Sequence, residues 1–314
     1  MEAVPVAAVV GPTATGKTRL AVEIALRFSG EVVSADSMQI YRGLAVGTAK
    51  PTAAEMRGVP HHMVGCVGPE ETFSVADYVS AASACIRGIR GRRRLPVVAG
   101  GTGLYIRALL RGIGFAPQGR DETLRAALRR KAEAQGPGAL VEELRSFDPD
   151  SAERIDPHDV SRLIRAIELY RTTGLTMTEQ NRRSRAVPPP YDVCMIGLTC
   201  RDRAKLYAAI DRRVDGMMER GLVREAEEVF RLPDRCTAKQ AIGYKEFAPY
   251  FRGECTLAQA VETVKRESRR YAKRQLTWFR RDEGVHWIFL DELPSFGSVC
   301  ERSFDLIRER RWRL

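Results

Sequence analysis

The chain has 314 residues, 44% of them hydrophobic and 29% charged, a balance that suits a soluble globular protein of one large or two ordinary domains and excludes a mainly disordered state. Its longest nearly unbroken apolar run, Ala3 to Val10, falls far short of the roughly 18 residues of a membrane helix and leads into a glycine loop without a cleavage site, so neither a signal peptide nor an anchor is expected. The net charge of +11 makes a polyanion such as nucleic acid a partner to weigh against the plainer reading, which is solubility.

In chain order, Val4 to Val10, Glu31 to Ala35 and Leu95 to Ala99 read as buried strands, and Arg19 to Phe28 and Ser74 to Ile89 carry helical periodicity after them. Such alternation predicts a parallel sheet. From Phe115 the strand signals stop, and helices broken by turn clusters at Gln135 to Gly138 and Asp148 to Asp150 run on to about Arg185. The consecutive prolines of Val187 to Pro190 form a stiff link. Val193 to Leu198 is one more buried strand, after which helices dominate to the C-terminus. The expected organisation is a core over residues 1–114 and 191–314 with a helical insertion over 115–190.

Gly11 to Thr18 reads GPTATGKT, a complete G-x-x-x-x-G-K-[ST] between an apolar strand and a helix. Backbone amides of such a loop surround phosphate oxygens, Lys17 adds a point charge, and the Thr18 hydroxyl is a candidate ligand for Mg²⁺. The next strands end in Ser34-Ala35-Asp36-Ser37 and Gly100-Gly101-Thr102-Gly103. In an open parallel sheet these loops share one crevice, so Asp36, Thr102 and the phosphate loop should meet. Asp36 there suits a Mg²⁺ ligand, a base for an attacking nucleophile, or a cap on the helix that follows.

Between Val261 and Arg281 eight basic residues face two acidic ones, and Val261, Val264, Tyr271 and Trp278 define one apolar helix face, which leaves the cations the rest of the circumference. This is either a solvated face or an RNA-backbone surface. The seven cysteines are odd in number and lack C-x-x-C spacing, so they read as reduced, buried thiols, and the adjacent His61 and His62 lack the offset of a metal pair.

With these residues in hand the chain resembles the tRNA isopentenyltransferase family, or tRNA dimethylallyltransferases, of bacterial type. The resemblance rests on GPTATGKT, ADSMQIYRGLAVGTAKP (Ala35 to Pro51), His61-His62, FSVADYV, GGTGLY, SRLIRAIE (Ser161 to Glu168), Arg213, GLVREAEEV, QAIGYKE (Gln240 to Glu246) and YAKRQLTWFR (Tyr271 to Arg280). It implies a P-loop NTPase-like α/β fold, a parallel sheet flanked by helices with an all-helical insertion domain. It also implies transfer of the dimethylallyl group from dimethylallyl diphosphate to N6 of adenosine 37, beside the anticodon of tRNA, with release of diphosphate.

Carried over residue by residue, the resemblance makes Asp36 the general base, Thr102 a contact of the bridging oxygen and Arg213 a support for the departing diphosphate. Gly11, Thr13, Ala14, Thr15, Gly16, Lys17 and Thr18 would bind the diphosphate, with Mg²⁺ at Thr18. The tRNA anticodon stem-loop would be met by Asp36, Ser37, Met38 and Gln39, by Arg125, Ser161, Arg162 and Arg165 of the insertion, and by Gln240, Gly243, Tyr244 and Lys245. Lys273, Arg274, Gln275, Trp278 and Arg280 complete that surface. Met38 replaces the family's usual arginine and Thr15 its usual serine; neither removes a catalytic group. A monomeric cytoplasmic enzyme without a membrane partner is expected. A kinase using the same loop for ATP, an enzyme prenylating free adenine nucleotides, and a non-catalytic RNA-binding protein are the competing readings.

Overall fold

The computed structural model describes residues 3–114 and 121–312; the expected insertion boundary at Phe115 lies outside them. Two compact units emerge, one from Met1–Arg111 with Pro190–Leu314 and one from Gly112–Pro189. In the first, β1 (Val4–Val10), α1 (Lys17–Arg27), β2 (Gly30–Ser34), α2 (Ala53–Met56), β3 (His61–His62), α3 (Val75–Gly91), β4 (Leu95–Ala99) and α4 (Gly103–Leu110) come first. The second unit holds α5 (Glu122–Gln135), α6 (Gly138–Arg145), α7 (Pro149–Arg154), α8 (Val160–Thr173) and α9 (Met177–Ala186). The chain then returns to the first unit with β5 (Tyr191–Thr199), α10 (Arg203–Glu219), α11 (Leu222–Phe230), α12 (Ala248–Phe251), α13 (Leu257–Phe279), β6 (Val285–Phe289) and α14 (Phe296–Glu309).

The six strands form one sheet in the order β3-β2-β4-β1-β5-β6, and every adjacent pair is parallel. Parallel strands buried on both faces need no polar alternation, which is why β1 and β4 read as plain apolar runs. Period-two alternation still sorts their side chains: Ala7 and Val9 pack with α1 and α14, while Val6, Ala8 and Val10 pack with α3 and α4. Helices do dominate after Leu198, and β6 is a strand among them that the sequence did not suggest. Its sequence, VHWIF, carries His286 in an exposed position, and only pairing with β5 gives this short edge run its strand conformation.

Ser74 caps α3 by accepting the amide of Asp77, whose carboxylate accepts the amide of Ser74 in return. Thr256 and Gln259 make the same reciprocal box at the start of α13. In the second unit Leu128, Leu140, Leu144, Leu163, Ile164 and Ile167 belong to a core of its own.

Candidate active site

The phosphate loop bends between the end of β1 and the start of α1. Ala14 and Gly16 both take left-handed backbone, with φ of 64° and 77°. Such turns aim successive amides into one concavity, and the helix N-terminus beyond adds its partial positive charge. Thr15 donates its hydroxyl to the Pro12 carbonyl at 2.9 Å, and Lys17 Nζ folds back to the same oxygen at 2.6 Å. Burial, and secondarily the nearby Arg213 guanidinium, push the Lys17 ammonium down to about 7 against a smaller opposing pull from Asp36.

β2 delivers Asp36 one loop away. Its Oδ1 accepts the amides of Met38 at 2.9 Å and Gln39 at 3.3 Å, which closes a turn and does not cap the expected helix, since residues 37–40 form a turn and the next helix is α2, while Oδ2 accepts no hydrogen bond from the described residues. The third loop, after β4, is tied to this one through Thr102, whose Oγ1 accepts the Ser37 amide at 3.0 Å and donates to Ser37 Oγ at 3.3 Å.

A cavity of about 280 Å³ opens beside these loops. Thr13, Asp36, Arg213 and Arg274 supply polar groups to its wall, and Ile210, Val214, Met217, Ile242 and Val264 supply apolar ones. Arg213, half-buried, makes no ion pair within the described residues; desolvation lowers its pKa and Asp36 counteracts this. The cavity thus holds a partly desolvated cation near a carboxylate, with Thr13 of the phosphate loop in its wall.

Of the residues named from sequence, Thr13, Asp36, Ser37, Met38, Arg213, Gln240, Gly243, Lys245 and Arg274 line this one cavity. Lys273, Arg274 and Trp278 border a second cavity on α13 with Arg270 and Arg281, and Arg280 a third with Arg201, Trp287 and Phe289. Several others are already engaged. The Gln39 amide is spent on Ser34, Thr48 and Ala49. Tyr244 is 3% exposed and donates to Glu225 Oε1 at 2.7 Å. Gln275, 6% exposed, is held between two loops. In the second unit Arg125 makes two 2.7 Å bonds to the buried Glu168, which also accepts from Arg165 at 2.7 Å. Arg162 is exposed and paired with Asp159, and Ser161 is exposed.

α13 corrects the picture of an all-round basic helix. Lys265 pairs with Asp215, Arg269 with Asp211 and Glu262, and Arg266 and Arg270 with Glu267. Lys273, Arg274, Arg280 and Arg281 have no acidic partner among the described residues, so the free charge gathers at the C-terminal end. The expectation of buried thiols also fails in part: all seven cysteines are free, but Cys66 is exposed and Cys85, Cys200 and Cys255 are half-buried, because they sit in turns or at helix edges.

Sequence reasoning missed Glu225, which accepts the amides of Ala45, Val46 and Gly47 at 2.6, 2.9 and 2.7 Å and fixes the loop bordering the cavity. It also missed the apolar wall from α10, although the spacing of Ile210, Val214 and Met217 marks one helix face.

Among the described residues no group of three or more His, Cys, Asp or Glu side chains could hold a metal alone. The donors present, a Thr18 hydroxyl at the start of α1 beside a phosphate-binding loop, fit instead a Mg²⁺ that takes one or two protein oxygens and completes its shell with water and phosphate oxygens. No helix among the described residues is long and apolar enough to cross a membrane.

The profile of the family described as IPP transferase matches residues 39–282, and that described as isopentenyl transferase matches residues 4–63. The chain is 44% identical over 308 residues to the tRNA dimethylallyltransferase of Caldanaerobacter subterraneus subsp. tengcongensis, covering 97% of this chain and 98% of that protein. It is 47% identical to the tRNA dimethylallyltransferase of Halalkalibacterium halodurans, with 94% of each covered. Among solved structures, the full-length tRNA isopentenylpyrophosphate transferase of Bacillus halodurans is similar at a TM-score of 0.70 and 42% identity, covering 98% of both chains. A eukaryotic dimethylallyltransferase acting on tRNA is similar at 0.83 and 26% identity, covering 98% of this chain and 80% of that one. With the phosphate loop, the unpaired Arg213 and the Asp36 loop gathered at one end of the sheet, these matches over nearly the whole length establish that the chain belongs to the IPP transferase family.

Proposed function

We propose that the protein transfers the dimethylallyl group of dimethylallyl diphosphate to N6 of adenosine 37 in tRNA, beside the anticodon, and releases diphosphate. The observation that carries this reading is a cavity lined together by Thr13 of the phosphate loop, by Asp36, by Arg213, which has no ion pair among the described residues, and by the apolar Ile210, Val214 and Met217. An anion with a small hydrocarbon tail suits both kinds of lining.

In the reaction the N6 amine forms a bond to the first prenyl carbon as the bond from that carbon to the bridging diphosphate oxygen breaks. Asp36 takes the N6 proton, and diphosphate leaves with the electron pair of the broken bond. The loop amides, Lys17 and Arg213 hold charge as it grows on the leaving group and are in place before the reaction begins. Thr102 holds the loop that carries Asp36 through Ser37, and the family resemblance gives its hydroxyl to the bridging oxygen. Mg²⁺, held through Thr18 and the diphosphate, would neutralise phosphate charge. The apolar faces of Ile210, Val214 and Met217 suit the C5 chain.

The adenosine must be unpaired and drawn out of its stack to reach the cavity. Its stem-loop would lie against the cations at the end of α13 that lack an acidic partner among the described residues. A monomeric enzyme in the cytoplasm, where tRNA is found, is the state this reading expects. The test is a mass spectrum of unmodified tRNA after incubation with protein, Mg²⁺ and dimethylallyl diphosphate. A C5 gain on the adenosine next to the anticodon is expected; phosphate transfer from ATP at enzymatic rates, with no prenyl transfer, would overturn the reading.

A further inference from the structure

Gln275 lies on the buried face of α13, flanked along the helix by Tyr271 and Trp278. Its Oε1 accepts the amide of Thr13 in the phosphate loop at 2.9 Å, and its Nε2 donates to the carbonyl of Gly101 in the loop after β4 at 3.0 Å. A Cβ on Gly101 would stand 2.1 Å from Nε2, and one on Gly103 would stand 2.2 Å from the Trp278 ring, so both glycines let α13 come this close. The Tyr271 phenol lies near Thr102 and Gln275 on the same face, and burial and the Asp36 charge push it up to about 12. One helix face therefore grips the loop that holds diphosphate and the loop that fixes Thr102.

We propose that Gln275 is a positioning residue, a brace that sets the phosphate loop relative to the Thr102–Ser37–Asp36 chain, and that it does not contact RNA. The amide is suited to this because both of its ends are used, one as acceptor and one as donor, away from solvent. Holding Thr13 N–H aside also leaves the diphosphate to the amides from Ala14 onward. Misplacement of a leaving group relative to its attacking partner by about 1 Å costs on the order of 10²-fold in rate, so the brace acts on turnover.

The inference rests on the prenyl-transfer reading, and the parent enzyme's own activity separates the two: an inactive parent refutes that reading, whereas active variants refute the brace. Gln275→Leu removes both bonds. Single-turnover prenylation should fall about 10- to 100-fold with saturating substrates, while tRNA affinity measured without the diphosphate substrate stays within about twofold. Gln275→Glu keeps the acceptor for Thr13 but turns an anionic oxygen toward the Gly101 carbonyl. Once protonated, that side chain again offers one acceptor and one donor, so its deficit relative to the parent should shrink from about pH 8 toward about pH 6. Gly101→Ala pushes on the same amide from the other side, and combining it with Gln275→Leu should cost no more than the worse single change. A Gln275→Leu enzyme that binds tRNA tenfold more weakly yet turns over normally would make Gln275 an RNA contact. A pH-independent Gln275→Glu deficit, or additive losses in the double variant, would also overturn the proposal.

Discussion

Asp36 lines the cavity with one carboxylate oxygen tied to the amides of Met38 and Gln39 and the other without a hydrogen bond from the described residues. Asparagine preserves the tied oxygen and removes the basic lone pair. Asp36→Asn should therefore lower turnover by about 10² to 10⁴-fold while changing dimethylallyl diphosphate binding far less, read by single-turnover kinetics beside direct titration. Equal losses in both would make Asp36 a metal-site residue instead. Lys17 offers a test by pH. With its ammonium near 7 in the free protein, most molecules at pH 8 carry it neutral, and a bound diphosphate restores the charge. Binding should take up a proton and weaken as pH rises from about 7 to 9, by at most about tenfold per unit, in calorimetry across buffers of different ionisation heat. Lys17→Met should bind weakly and lose that dependence.

At the scale of an element, α13 separates cations that hold the protein together from cations left for a partner. Lys265 and Arg269 are engaged with Asp215, Asp211 and Glu262, whereas Lys273 and Arg274 have no carboxylate partner among the described residues. Each phosphate neutralised contributes roughly −0.7 to −0.9 to the log-log dependence of affinity on salt. Alanine at Lys273 and Arg274 together should make that slope shallower by roughly 1 to 2. Arg269→Ala should leave the slope alone and lower the melting temperature. A slope that responds to Arg269 and not to Lys273 and Arg274 would place the RNA backbone elsewhere.

For the whole molecule, the two units each have a core, and the helical one is organised around a charge. Glu168, fully buried, receives Arg125, Arg165 and the amide of Asp121. Burial alone would raise its carboxyl, but these donors outweigh it and hold it at about 2. Because the folded value lies below the unfolded one, the resulting stability is present above about pH 4.5 and is lost as pH falls toward 2. Glu168→Gln leaves two arginines without their anion, a change that costs about 3–5 kcal/mol in buried pairs. Hydrogen exchange should quicken in α5 and α8 and stay unchanged in β1 and β5. Uniform loss of protection would mean that the two units unfold together.

The sequence by itself determined what local chemistry and period control. The phosphate loop is a contiguous pattern whose conformation follows from its own glycines and the helix after it. β1, β4 and β5 are legible because strands covered on both faces must be apolar. The family was equally legible, since its motifs run in order along the chain. The tertiary structure alone decided which polar groups are free. Arg125 and Arg162 look alike in sequence, but Glu168, distant in the chain, occupies the first, while the second stays at the surface. Gln275 looks like one more member of a basic, RNA-facing helix until Thr13 and Gly101, each more than 170 residues away, are seen to use both ends of its amide. β6 is a strand because β5 lies beside it. A side chain's type is written at its position, but its hydrogen-bond partners come from wherever the fold brings the chain back, and those partners decide whether it braces the protein or faces a substrate.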